Sequence, residues 1–162
     1  MITVTRGDIL EAKGLILHDV SVGGNMSSGL AARIKKKWPK TYEDYVYRIK
    51  WAEEQTKRAI EIIDPSARVM LLGSCQCIKV SRDTIIGNCF TQEVYGKVVQ
   101  SSGYDVIDQC LKEVNEYMER ELIKDVNFMK LGCMIGGLEW KVVHALIEHR
   151  LTYATNKNLY IP

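Results

Sequence analysis

Apolar residues recur along this chain in two rhythms, short unbroken runs and stripes spaced three or four residues apart, and the two alternate. Leu15-Ile16-Leu17 through Val20, Thr84 to Thr91, and Val126 to Gly132 are too short for helices and rich in branched or aromatic residues. That predicts strands buried on both faces. Met1 to Thr5 and Leu159-Tyr160-Ile161 predict terminal strands, and Arg68 to Gly73 and Cys75 to Val80 two more, with Ser81-Arg82-Asp83 as a turn. The stripes predict four helices. Leu30 to Trp38 is stopped by Pro39. Tyr45, Ile49, Ala52, Thr56, Ala59 and Ile63 follow a Thr41-Tyr42-Glu43-Asp44 capping box and end at Asp64-Pro65. Ile107, Cys110, Leu111, Val114, Tyr117, Met118 and Leu122 mark the third, and Leu138, Val142, Val143, Leu146 and Ile147 the fourth.

Strands alternating with helices imply an α/β fold, a central sheet with helices on both faces. Ligands of such sheets bind beyond the carboxyl ends of the strands. Asp8, His18 to Gly29, Gln92 to Gly96 and Gly132 to Gly137 all fall at such ends, so they can line a single cleft.

A length of 162 residues suits one domain spanning 1–162 with a sizeable core. With 46% hydrophobic and 26% charged residues, disorder is not indicated. A formal charge of +2 gives no reason to expect a nucleic-acid groove. No apolar run is long enough to span a bilayer, and Met1 to Asp8 lacks the basic and apolar regions of a signal peptide, so the cytoplasm is the expected location. The cysteines, 75, 77, 89, 110 and 133, are odd in number; Cys75 and Cys77 suit one face of a strand, and no second pair completes a zinc set. No metal or other cofactor is expected.

Candidate chemistry sits in the loops. Gly23 to Gly29 offers backbone N–H groups, Asn25, Ser27 and Ser28, and a helix start, where an anion can dock because glycine brings the backbone close. The loop can also be a plain turn. A second glycine loop at Gly132 to Gly137, again between strand and helix, makes a diphosphate clamp possible. Neither GxGxxG nor GxxxxGK[ST] is present, so the dinucleotide and nucleoside-triphosphatase devices are missing. His18 ends a central strand, where an imidazole can accept a proton or simply be buried and satisfied. Asp8 can take a ligand amine or cap a turn. Lys35 to Lys37 reads as a solvated helix end, Trp38 and Trp140 as packing residues, Tyr95 as a stacking candidate, and Cys133 as an ordinary loop thiol.

Gly7-Asp8-Ile9, His18 through Gly23-Gly24-Asn25-Met26-Ser27-Ser28-Gly29-Leu30-Ala31, and Leu131-Gly132-Cys133-Met134-Ile135-Gly136-Gly137-Leu138-Glu139-Trp140 together resemble the macro domain family, whose members bind ADP-ribose. The resemblance spans nearly the whole chain. It implies a three-layer α/β/α fold with a central mixed sheet. It also implies that Asp8 contacts the adenine amine and that Ile9 lies beside the ring. Gly24, Asn25, Met26, Ser27, Ser28, Gly29 and Leu30 would face Gly132, Cys133, Met134, Ile135, Gly136 and Gly137 across the diphosphate and distal ribose, with Tyr95 and Gly96 near the ribose end.

The chain is most similar to the branch holding the ADP-ribose 1''-phosphate phosphatases and the terminal ADP-ribose protein glycohydrolases, both of which carry a histidine at the position of His18. The resemblance therefore implies phosphatase activity on ADP-ribose 1''-phosphate with His18 as nucleophile or general base. Gly136 stands where the glycohydrolases carry aspartate, so their lysine and aspartate mechanism is not implied. Two other readings stay open: hydrolysis of ADP-ribosylated macromolecules or O-acetyl-ADP-ribose, and non-catalytic ADP-ribose binding. Oligomeric state cannot be read from these residues.

Overall fold

A computed structural model describes residues 1–60, 70–93 and 103–162. The order is β1 (Ile2–Arg6), β2 (Gly14–Ser21), α1 (Gly29–Lys37), α2 (Pro39–Ile60), β3 (Cys75–Lys79), β4 (Thr84–Gln92), α3 (Tyr104–Arg120), β5 (Asp125–Phe128), α4 (Trp140–Arg150) and β6 (Asn156–Ile161). The strands form one sheet, ordered β1-β6-β5-β2-β4-β3. Every neighbouring pair is parallel except β3, which runs antiparallel to β4 at the edge.

Alternation along β2 decides what each face buries. Leu15 and Leu17 pack with Ile107, Leu111, Val114 and Met118 of α3 and Val143 and Ile147 of α4. Ile16 meets Ile34 of α1, and Val20 meets Tyr45 and Ile49 of α2. The result is three layers, α1 and α2 over the sheet and α3 and α4 beneath it. Leu15, Ile16, Leu17, Ile34 and Ile147 are fully buried; each such side chain contributes about 1.5–3 kcal/mol of transfer free energy. Among the described residues no helix is long and apolar enough to cross a membrane.

The strand-face expectation for Cys75 and Cys77 holds. Cys75 and Cys77 share one face of β3 with sulfurs 3.9 Å apart, Cys89 lies opposite Cys75 at 3.7 Å, and all five thiols are free.

Four local expectations need correcting. Met70 to Gly73 is a turn and not strand, held by Gly73 N–H on the Phe90 carbonyl and Ser74 N–H on that of Leu71. Pro39 opens α2, where its missing N–H costs nothing, besides following the end of α1. Thr41 therefore lies inside the helix, its buried hydroxyl without a partner among the described residues, and Asp44 pairs with Lys40 instead of closing a capping box. Finally, β5 ends at Phe128 and α4 begins at Trp140, so the second glycine loop is longer than its flanking apolar residues suggest, and Leu138 belongs to it. The reading of Arg68-Val69 and the end of the second helix at Ile63 to Pro65 lie outside the described residues.

Candidate functional site

Five mutually parallel strands bring their carboxyl ends to one edge of the sheet, and a cavity of about 270 Å³ opens there. Leu17 to Ser21 of β2 form part of its lining, Asn25 to Ala31 and Met129 to Leu131 contribute more, and Met134, Ile135 and Gln92 complete it. The two glycine loops therefore share one cleft, as the strand-end argument requires. Of the residues named from sequence, His18, Asn25, Met26, Ser27, Ser28, Gly29, Leu30, Met134 and Ile135 line the cavity. Gly24, Gly132, Cys133, Gly136 and Gly137 belong to the same loops but not to that lining. Tyr95 and Gly96 lie outside the described residues.

The first loop departs from the sequence picture of amides waiting for a ligand. The buried Tyr45 hydroxyl, reaching up from α2, donates to the Ser21 carbonyl at 2.5 Å. It accepts the Gly24 and Asn25 amides at 3.0 and 3.2 Å, and the Gly23 amide turns to Ser21 Oγ at 3.2 Å. These internal bonds set the loop's shape. What remains to face the cavity is the stretch from Asn25 to Ser28 and the first turn of α1 at Gly29, Leu30 and Ala31. In the second loop Gly132 N–H is taken by Asp19, but among the described residues the amides of Met134, Ile135, Gly136 and Gly137 meet no internal acceptor.

Asp19 lies partly exposed on the cleft floor. Its carboxylate accepts Thr91 Oγ1–H at 2.8 Å and Gly132 N–H at 2.9 Å. Burial pushes this carboxyl up to about 6 against the pull of those two donors. Burial, followed by the nearby Asp19, also raises the Cys133 thiol, so Cys133 is not an activated nucleophile.

His18 is 3% exposed. Burial lowers its pKa, so the ring is neutral near pH 7. Nε2 lies 2.6 Å from Asn88 Oδ1, while Nδ1 is buried and meets no partner among the described residues. A neutral imidazole donating through Nε2 keeps a lone pair on Nδ1 that can accept a proton.

Asp8 sits at the same edge but does not line the cavity. It caps a turn by accepting Leu10 N–H at 3.0 Å, and its other oxygen takes the Arg33 guanidinium at 2.6 Å. The Leu10 amide first and Arg33 second hold its carboxyl below the usual range. Ile9 is buried with Ile16 and Ile86. Lys37 is no free cation either, since it donates to the Leu10 carbonyl and to Glu11.

Sequence reasoning placed Asp19, Ser21 and Gln92 in cleft-lining segments without giving them a role, and it missed Tyr45. The only signal for Asp19 was an acid inside an apolar run, and Tyr45 read as an ordinary member of the α2 stripe.

No family model matches the chain. An uncharacterized 17.5 kDa protein from the tk-vs intergenic region of Enterobacteria phage T4 is 26% identical over 160 residues, 96% of this chain and 92% of that one. Among solved structures, the macrodomain of Mycobacterium tuberculosis DarG superposes with a TM-score of 0.76 at 23% identity, covering 100% of this chain and 98% of its own. A macrodomain protein from Streptomyces coelicolor gives 0.73 at 22%, covering 100% and 99%. Thermosipho africanus DarTG in complex with ADP-ribose gives 0.74 at 21%, covering 99% of this chain and 41% of that larger one. The fold is thus the three-layer α/β/α macrodomain fold, and the similarity reaches to no particular branch of it.

Proposed function

We propose that the cleft binds ADP-ribose and that the protein removes the terminal phosphate of ADP-ribose 1''-phosphate. The observation that carries this reading is His18, which lines a cavity between two glycine loops and whose buried Nδ1 meets no hydrogen-bond partner among the described residues. Thermosipho africanus DarTG, part of which shares this fold, is in complex with ADP-ribose, which supports the choice of ligand. The diphosphate lies between the first turn of α1 and the open amides of Met134 to Gly137, where backbone dipoles favour an anion. The exposed Met134 and Ile135 supply apolar cover at the rim.

In the hydrolytic step a water oxygen attacks phosphorus and the bond from phosphorus to the ribose oxygen breaks. His18 Nδ1 takes the water's proton and returns it to the departing ribose oxygen, leaving ADP-ribose and inorganic phosphate. The loops contribute positioning and charge stabilisation on the phosphoryl oxygens.

Calorimetric titration with ADP-ribose, beside a phosphate-release assay on ADP-ribose 1''-phosphate, tests the reading. Wild type binds and turns over; His18→Ala binds with nearly the same affinity and loses most turnover. Binding without phosphate release, with or without cleavage of O-acetyl-ADP-ribose or ADP-ribosylated protein, would replace the phosphatase by one of the other two activities. Absence of binding would remove the ligand itself.

A further inference from the structure

The side chain behind His18 belongs to a chain of hydrogen bonds whose direction has one possible sense. Gln76 on β3 donates through Nε2 to the backbone carbonyl of Asp44 at 2.9 Å. A carbonyl oxygen only accepts, so this contact fixes which end of the Gln76 amide points where. Gln76 Oε1 must then face Asn88, and it accepts from Asn88 Nδ2 at 3.2 Å. Asn88 Oδ1 is left for the imidazole, 2.6 Å from His18 Nε2. An amide oxygen also only accepts, so Nε2 carries the hydrogen and Nδ1 does not. Asn88 is fully buried, which keeps water from substituting for either of its partners. The three side chains come from β3, β4 and β2, adjacent in the sheet, and the polarity is imposed from α2.

We infer that Asn88 and Gln76 are positioning residues that hold His18 as the Nε2–H tautomer, with the Asp44 carbonyl as the fixed end, so that the Nδ1 lone pair is available to a reacting proton. The catalytic consequence rests on the reading of His18 given above; the tautomer itself does not. The other ionisable groups at this ring are the Cys89 thiol, whose charge reaches His18, and Asp19, next in the chain, whose oxygens are turned to Thr91 and Gly132.

Reversing the polarity tests the assignment. Gln76 is a partly exposed residue on the edge strand, which tolerates polar replacement. In Gln76→Glu the new side chain is an acceptor, so Asn88 keeps its orientation and His18 keeps the hydrogen on Nε2. In Gln76→Lys the side chain is only a donor. Asn88 then turns its oxygen toward it and its NH₂ toward His18, which moves the imidazole hydrogen to Nδ1.

Long-range ¹H–¹⁵N correlation on ligand-free, histidine-labelled protein reads the tautomer directly, with His18→Ala identifying the resonances. The expected result is Nε2–H in wild type and Gln76→Glu, and Nδ1–H in Gln76→Lys. Turnover of ADP-ribose 1''-phosphate in Gln76→Lys should fall about tenfold or more below Gln76→Glu, in kcat and not in KM, the scale of losing a partner that orients a working histidine. The same tautomer in both variants, or Nδ1–H in wild type, overturns the inference. A tautomer that inverts while turnover stays equal supports the positioning role and removes His18 from the chemistry.

Discussion

The carboxylate of Asp19 accepts the backbone N–H of Gly132 at 2.9 Å, so the floor of the cleft holds the loop that forms its wall. The contact joins residues 113 apart in sequence and comes with a second, from Thr91 at the end of β4. The ends of β2 and β4 and the second loop are thereby fastened at one carboxylate. Both donors favour the ionised form, yet burial outweighs them and lifts the carboxyl to about 6.

That balance predicts a pH dependence with an unusual sign for an aspartate. The folded carboxyl holds its proton more tightly than the unfolded one, which titrates near 3.8. Its contribution to stability is therefore complete below the unfolded value and is lost as pH rises through about 6. At about 1.4 kcal/mol per unit the loss is at most about 3 kcal/mol, and the partial exposure of Asp19 reduces it. Urea denaturation of wild type and Asp19→Asn from pH 4 to 7 should show the variant gaining relative stability as pH rises. Parallel profiles would place the Asp19 pKa at its ordinary value.

An anion in the cavity shares that space with Asp19 and penalises its ionised form further. Binding of ADP-ribose at about pH 6.5, slightly above the midpoint of this carboxyl, is expected to take up a fraction of a proton. Calorimetry in two buffers of different ionisation enthalpy measures the uptake. Asp19→Asn should abolish it, and identical enthalpies for wild type in both buffers would place the phosphates away from this carboxyl.

Tyr45 carries the first loop on a single oxygen. Tyr45→Phe preserves the buried ring and its tilted contact with Phe90, 5.7 Å between centroids. It removes one donor to the Ser21 carbonyl and the acceptor for two amides. Leaving such groups unpaired costs about 1–3 kcal/mol. The fall in stability should come with weaker ADP-ribose binding, since the loop from Asn25 to Gly29 lines the cavity. A destabilised variant with unchanged affinity would separate loop shape from the ligand.

These residues also mark where sequence reading stops. The buried runs 15–20, 84–91 and 126–128 read as strands because they are short, nearly unbroken and rich in branched or aromatic residues. The loops were legible from glycines at strand ends, and His18 from a polar residue in the same place. Thr41 to Asp44 misled because a capping pattern inside a helix is indistinguishable, in sequence, from one at its start. Met70-Leu71-Leu72 read as strand because three apolar residues do not fix a period. Tyr45, Asp19, Asn88 and Gln76 act through partners 12 to 113 positions away, and no local pattern encodes which polar group meets which.

Two glycines of the second loop separate backbone strain from packing. Gly132 and Gly137 have nearly the same left-handed backbone, φ of 67° and 68°. A β-carbon at Gly137 meets nothing within 4 Å, whereas one at Gly132 comes within 2.9 Å of Leu138 Cδ1 and 3.1 Å of Ile107 Cδ1. Gly137→Ala therefore carries only the conformational cost, about 1–2 kcal/mol. Gly132→Ala adds overpacking against Ile107, a core residue of α3 that is 1% exposed, for roughly another 1–3 kcal/mol. The excess is the packing contribution of this turn, and denaturant midpoints at constant slope measure it. Because Ile107 lies in the core beneath the sheet, the larger loss at Gly132 should appear in global unfolding, not as local fraying of the loop. Equal losses in the two variants would mean that Leu138 and Ile107 yield freely, and that the second loop is held by its hydrogen bonds and not by packing at Gly132.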